Sequence, residues 1–147
     1  MKNLSTLILL LTIIQTTFSQ VVEALSPPEY IKTVYFVQND SVLNGVPILK
    51  KGESFTVKFD DIIGDEAFYY YKISHYNFDW TPSSLNKNNY MQGFDNIRIT
   101  NVLNSLNSLQ IYTHYEVTIP NQNTQALTET GNSVSYTHLT LPTIYSV

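Results

Sequence analysis

Apolar and polar side chains alternate along much of this chain, at the two-residue period of strands that bury one face. The pattern is cleanest in residues 54–59, where Phe55, Val57 and Phe59 alternate with Thr56 and Lys58. In residues 67–74, Phe68, Tyr70, Lys72 and Ser74 share one face, and Tyr69, Tyr71, Ile73 and His75 share the other. The second face is the more apolar and is expected to point inward. Residues 106–120 contain a long strand, with Ile111, Thr113, Tyr115, Val117 and Ile119 on one side and Tyr112, His114, Glu116 and Thr118 on the other. Residues 30–38 (YIKTVYFVQ) are β-branched and aromatic and read as a strand, as do the shorter 46–49 and 97–102.

Turn chemistry separates these segments: Asn39-Asp40, Asn44-Gly45, Lys51-Gly52, the acidic stretch around Gly64, Pro120-Asn121 and Gly131-Asn132. Pro82-Ser83-Ser84-Leu85 suits a short helical turn, with Thr81 as its cap and proline at its first position. Residues 86–89 read as a polar loop, and 121–130 as a polar connection. Nothing beyond the N-terminal leader sustains a helical period. The expected fold is all-β, an immunoglobulin-like antiparallel β-sandwich, with the lone Trp80 at the dry centre between its layers. The length suits one domain with a real core.

Both ends differ from this middle. Residues 1–19 read as a secretory signal peptide: Lys2 is the positive start, residues 7–14 are apolar, and Thr17-Phe18-Ser19 precedes a cleavage expected between Ser19 and Gln20. The apolar run falls well short of the ~20 residues that span a bilayer, so no stable membrane insertion is expected. Residues 20–29 are a leader, in which Pro27-Pro28 favours extended entry. Residues 30–133 form the sandwich. Residues 134–147 are expected not to be native. VSYTHLTLPT, residues 134–143, reads as one frame of a transposon-type sequencing adapter, GTC TCT TAT ACA CAT CTG ACG CTG CCG ACG. On that reading the natural sequence gives way to the adapter near Ser133, and Tyr136 and His138 carry no functional weight.

Composition narrows the function classes. The formal net charge is −4, and removing Lys2 with the leader makes it −5 (−4 minus 1). No Lys/Arg cluster exists, so nucleic acid and anionic lipid are poor partners. The chain has no cysteine, which excludes disulfides and thiolate chemistry. An exported chain of this kind is held by its core alone.

The candidate chemistry is thin. His75, Asp79 and His114 are of the residue types that bind metals or move protons. The competing and favoured reading is that they satisfy buried polar groups near Trp80 and the tyrosine hydroxyls. No serine elbow and no phosphate loop occurs. Asp60, Asp61, Asp65 and Glu66 miss the spacing of a calcium loop, and the adjacent Asp60-Asp61 pair is a weak glycosidase signal. The aromatic residues Tyr69, Tyr70, Tyr71, Tyr76, Trp80, Tyr90 and Phe94 admit two roles. They form core and protein interface, the favoured reading, or a stacking platform for sugars.

Several words in order resemble one family. They are Tyr30-Ile31-Lys32-Thr33-Val34 after the prolines; Phe59-Asp60-Asp61; and Tyr70-Tyr71-Lys72-Ile73 leading to His75-x-Asn77-x-Asp79-Trp80-x-Pro82-Ser83-x-Leu85. Then come Tyr90-Met91-x-Gly93-Phe94, and Tyr112-Thr113-His114-Tyr115 before Ile119-Pro120-Asn121. Their order and spacing, over about residues 28–132, resemble the N-terminal domain of the type 9 secretion system plug proteins of Bacteroidota. The resemblance implies a non-enzymatic, all-β periplasmic protein, associated with the outer membrane and without cofactor or metal. Its implied partner is the outer-membrane translocon barrel, whose periplasmic end it closes when no substrate passes. His75, Asn77, Asp79, Trp80, Pro82, Gly93, Phe94, Tyr112, His114 and Tyr115 are the motif positions carried over, as structural or interface residues. The alternative is a carbohydrate-binding or adhesive β-sandwich module at the cell surface.

Overall fold

The structure is a computed structural model that describes residues 26–139. The expected signal peptide, its Ser19/Gln20 cleavage, most of the leader and residues 140–147 of the tail lie outside the described residues.

All strand pairs are antiparallel. Strands β1 (Ile31–Gln38), β2 (Ser41–Leu43), β3 (Phe55–Asp61), β7 (Asn101–Asn104) and β8 (Thr113–Ile119) form one sheet in the order β2-β1-β3-β8-β7. Strands β4 (Tyr69–Tyr76), β6 (Ile97–Arg98) and β10 (Asn132–Leu139) form a second, ordered β10-β4-β6. A two-stranded ribbon pairs β5 (Met91–Gly93) with β9 (Thr124–Leu127), and a single helical turn, α1 (Lys87–Tyr90), runs directly into β5. The architecture is the all-β sandwich expected from the alternation.

The core follows the period-two pattern. Tyr69, Tyr71, Ile73 and His75 of β4 are buried, as are Val57 and Phe59 of β3 and Thr113, Tyr115, Val117 and Ile119 of β8. Phe59 and Tyr115 face each other in the β3–β8 register and stack, with centroids 5.2 Å apart and planes 10° apart. Tyr69 meets both rings edge-on, at 5.2 Å and 4.8 Å. These are geometries that tyrosine and phenylalanine quadrupoles favour.

Burying tyrosines obliges their hydroxyls to find partners. Tyr69 Oη donates to Asp61 Oδ2 at 2.9 Å, and Asp61 Oδ1 accepts the Ile63 amide at 2.9 Å. Tyr115 Oη accepts the Ala67 amide at 2.8 Å and donates to the Ala67 carbonyl at 3.0 Å. Tyr71 Oη lies 3.0 Å from Thr124 Oγ1 and accepts from Asn121 Nδ2 at 2.9 Å, which ties β4 to the ribbon.

Four local expectations are corrected. Residues 46–49 form no strand; β2 lies at Ser41–Leu43 instead. Asn39 and Asp40 both adopt positive φ, 50° and 59°, which closes a tight hairpin and starts the return strand at once. Residues 97–102 are not one strand: Ile97 and Arg98 pair with β4, whereas residues 101–104 pair with β8. The chain changes sheets between them, and Ile99 stays buried with its amide on the Tyr69 carbonyl at 2.8 Å. Pro82-Ser83-Ser84-Leu85 is extended, because Pro82 bridges to Tyr76 and the Ser83 amide bonds the His75 carbonyl; the helical turn comes in the segment read as a loop. Residues 124–127 form β9 although their sequence, TQAL, lacks the usual strand residues.

Burial pushes the phenols of Tyr69 and Tyr115 upward, and for Tyr69 the hydrogen bond to the Asp61 carboxylate adds to the shift. The folded state therefore favours both phenols neutral. Their contribution to stability is whole below the unfolded value of about 10 and is lost as pH rises through the folded value. Urea midpoints are expected to fall as pH is raised above about 10, with a shallower fall in Tyr69→Phe. An equal slope in the two proteins excludes this role for Tyr69.

Candidate functional site: the turn after β4

The most distinctive motif follows β4, where the chain reverses between Asn77 and Thr81. The Trp80 amide donates to the Asn77 carbonyl at 3.0 Å, and the Asn77 amide donates to the Thr81 carbonyl at 2.9 Å. Asp79 Oδ1 accepts both the Thr81 amide, at 3.0 Å, and the Thr81 hydroxyl, at 2.7 Å. Asn77 Nδ2 donates to Thr81 Oγ1 at 2.9 Å. From the next strand over, Asn132 Nδ2 reaches the carbonyls of Asn77 and Phe78 at 3.0 and 3.3 Å. The Thr81 hydroxyl and then its amide hold the exposed Asp79 carboxyl below the usual aspartate range. Asp79 is thereby a turn-closing acceptor and not a poised acid.

His75 enters from the end of β4. Its ring stacks on Tyr90, centroids 5.4 Å apart, and Nε2 lies 3.1 Å from the Thr130 carbonyl. A carbonyl only accepts, so Nε2 carries a proton there, and Nδ1 is buried with no hydrogen-bond partner among the described residues. Gly131 closes over this ring at φ +146°; a Cβ there would lie 2.6 Å from Nε2. His75, Asn77, Phe78, Asp79, Thr130 and Gly131 line one depression.

The structure separates the other motif residues. His114 lies across the β3–β8 ladder from Asp60, with Nδ1 2.6 Å from Asp60 Oδ1. His75, Asp79 and His114 thus have separate partners, and no acid–base cluster joins them. Among the described residues no group of three His, Asp or Glu side chains is placed to hold a metal. Tyr115 is core, Tyr112 lies at the surface and Pro82 is exposed at its bridge to Tyr76. Gly93 sits at φ +99°, where a Cβ would lie 2.1 Å from the Asn123 carbonyl oxygen; Phe94, next to it, is 73% exposed.

Trp80 corrects the expectation of a central indole. It is half-buried, at φ +63° inside the turn, and the dry centre belongs instead to Phe59, Tyr69 and Tyr115. Phe78 projects from the same turn at 91% exposure. Thr81, Thr130, Gly131 and Asn132 complete the site and were not singled out as site residues from sequence. The one signal for Thr81 was its position two residues after an aspartate, where side chains cap backbone amides. The sugar platform also fails as a set, since Tyr69, Tyr71 and Tyr90 are buried.

Comparison with known proteins adds to this geometry. A family model described as the first domain of the type 9 secretion system plug protein matches residues 31–140. The crystal structure of a hypothetical protein from Parabacteroides merdae ATCC 43184 resembles this fold with a TM-score of 0.69 at 26% sequence identity. That likeness covers 76% of this chain but only 28% of the other. No curated protein matches the sequence.

The left-handed backbone at residue 80 separates two contributions of Trp80. Trp80→Ala is expected to cost less than the about 3–5 kcal/mol of a fully buried aromatic. Trp80→Gly removes the same ring but tolerates positive φ, and should be more stable than Trp80→Ala by about 1 kcal/mol. Urea denaturation of both variants checks the order; Ala at or above Gly contradicts it.

Proposed function

Because the chain belongs to the family of type 9 secretion system plug protein first domains, its role lies in type 9 secretion, and we propose that it acts there by protein–protein contact, occluding the outer-membrane translocon barrel from the periplasmic side. The observation that carries this reading is the family match across residues 31–140. The reading makes the protein a non-enzymatic component, exported by the leader cleaved between Ser19 and Gln20, and held in the periplasm at the outer membrane. The chain spans about a quarter of the length of the related Parabacteroides protein, 28%.

Physical features support contact over catalysis. The side chains with catalytic potential in the motif are engaged in structural bonds: Asp79 with Thr81, His75 with Thr130, His114 with Asp60. The turn after β4 is braced by hydrogen bonds while presenting an exposed Phe78. A rigid loop with an apolar tip loses little conformational freedom on docking, as a reversible stopper requires.

The test uses the longer polypeptide that carries this domain, tagged and recovered from detergent-solubilised envelopes. Co-purification of an outer-membrane barrel is the expected result. Retention on glycans with no barrel recovered would replace the reading with the carbohydrate-binding module.

A further inference from the structure

A second surface lies at the opposite end of the sandwich from the turn after β4. There the β7–β8 hairpin and the β3–β4 loop come together. The registers Asp61↔Thr113 and Asn104↔Thr113 put the end of β3, the end of β7 and the start of β8 side by side. The end exposes Ile63, Leu103, Leu106, Leu109 and Ile111, with Leu106 at 87% and Leu109 fully exposed. Residues 103–112, LNSLNSLQIY, contain no charged side chain. Scattered exposed aliphatics are ordinary, but five at one end, four of them on the uncharged hairpin and Ile63 on the acidic loop beside it, mark a contact surface.

The surface is built and not slack. The Ser105 amide donates to the Tyr112 carbonyl at 2.9 Å, and Ser105 Oγ accepts the Tyr112 amide at 2.9 Å. Ser108 Oγ donates to the Gln110 carbonyl at 2.7 Å. Gln110 Nε2 crosses to the Ile62 carbonyl at 3.1 Å, joining the hairpin to the neighbouring loop. Ile111 fills the space over Gly64, where a Cβ would lie 2.5 Å from its Cγ2.

The path of the chain indicates what covers this end. Asn132↔Tyr76 and Ser133↔His75 start β10 at the far end of β4 and set it antiparallel, and its last pair is Leu139↔Tyr69. Tyr69 is bonded to Asp61, at the root of the β3–β4 loop. Residues 134–139 fall in the stretch read as non-native, but Asn132 and Ser133 already pair antiparallel with Tyr76 and His75, which points the chain that follows toward the aliphatic surface. In the Parabacteroides relative the match accounts for 28% of the chain, and the family is that of a first domain. A domain joined after β10 begins next to five exposed aliphatic side chains.

We infer that this end is the seat of the next domain of the longer polypeptide, which packs an apolar, weakly charged face onto the β7–β8 hairpin. The pairing sets the direction of the first domain relative to the rest, and it holds whatever the turn after β4 contacts.

This chain contributes no cysteine, so once any cysteine in the remainder of the longer polypeptide is replaced by serine, an introduced thiol gives a direct test. In the longer polypeptide, Leu109→Cys is labelled with a maleimide and compared with Ile48→Cys, which is 84% exposed and lies outside both the hairpin and the β3–β4 loop. Labelling at residue 109 is expected to be at least about tenfold slower, and to recover when Leu106→Asp is added. Equal rates at the two positions overturn the inference. Protection that appears only as protein concentration rises assigns the surface to a second copy, and protection only in envelope extracts assigns it to an outside partner; either also overturns it.

Discussion

The contact between Phe59, Tyr69 and Tyr115 is the constraint on which the rest depends. Three rings from three strands meet across the two layers, and two of them carry hydroxyls that must not be left dry. Their partners, Asp61 and Ala67, lie at the end of β3 and just before β4. The β3–β4 connection is consequently tied down near both of its ends. A segment that would otherwise be a loose acidic loop becomes a fixed support, and Ile63 and Gly64 inherit their positions from it. Packing at the centre thus determines the geometry of a surface one loop away.

The two ends of the sandwich are organised by different chemistry. At the turn after β4, hydrogen bonds among Asn77, Asp79, Thr81 and Asn132 set the backbone, and the histidine beneath stacks on a tyrosine. At the other end aliphatic side chains dominate, and polar groups serve mainly to stiffen the hairpin beneath them. Each end is thus held in shape by its own bonds and not by the other.

What the sequence shows of this fold depends on which interactions are local. Alternation separated the buried from the outward faces of β3, β4 and β8, since strand geometry ties side-chain direction to position, but it ran β8 on to Ile111, which lies before the strand and is exposed. It misread residues 97–102 because the apolar rhythm of Ile97 and Ile99 continues while the chain moves from one sheet to the other. It placed the helical turn at Pro82 instead of Lys87 because the bridge from Pro82 to Tyr76 is a tertiary contact. The lone tryptophan was read as the core anchor from its size, but the left-handed backbone at residue 80 belongs to a turn. For the site, the motif from His75 to Pro82 was visible as a word. Its completion by Thr130, Gly131 and Asn132 was not, because those residues arrive from about 55 positions away with no local signature.

Gly93 carries a consequence beyond its own turn. The Asn123 carbonyl occupies the space of a side chain at that position, and the Phe94 amide caps the same oxygen. The β5–β9 ribbon is therefore closed by backbone lying directly against backbone, with no side chain between to adjust. The exposed ring at residue 94 therefore rests on a hinge of bare backbone: residue 93 accepts no side chain, whereas the side chain of residue 94 projects into solvent.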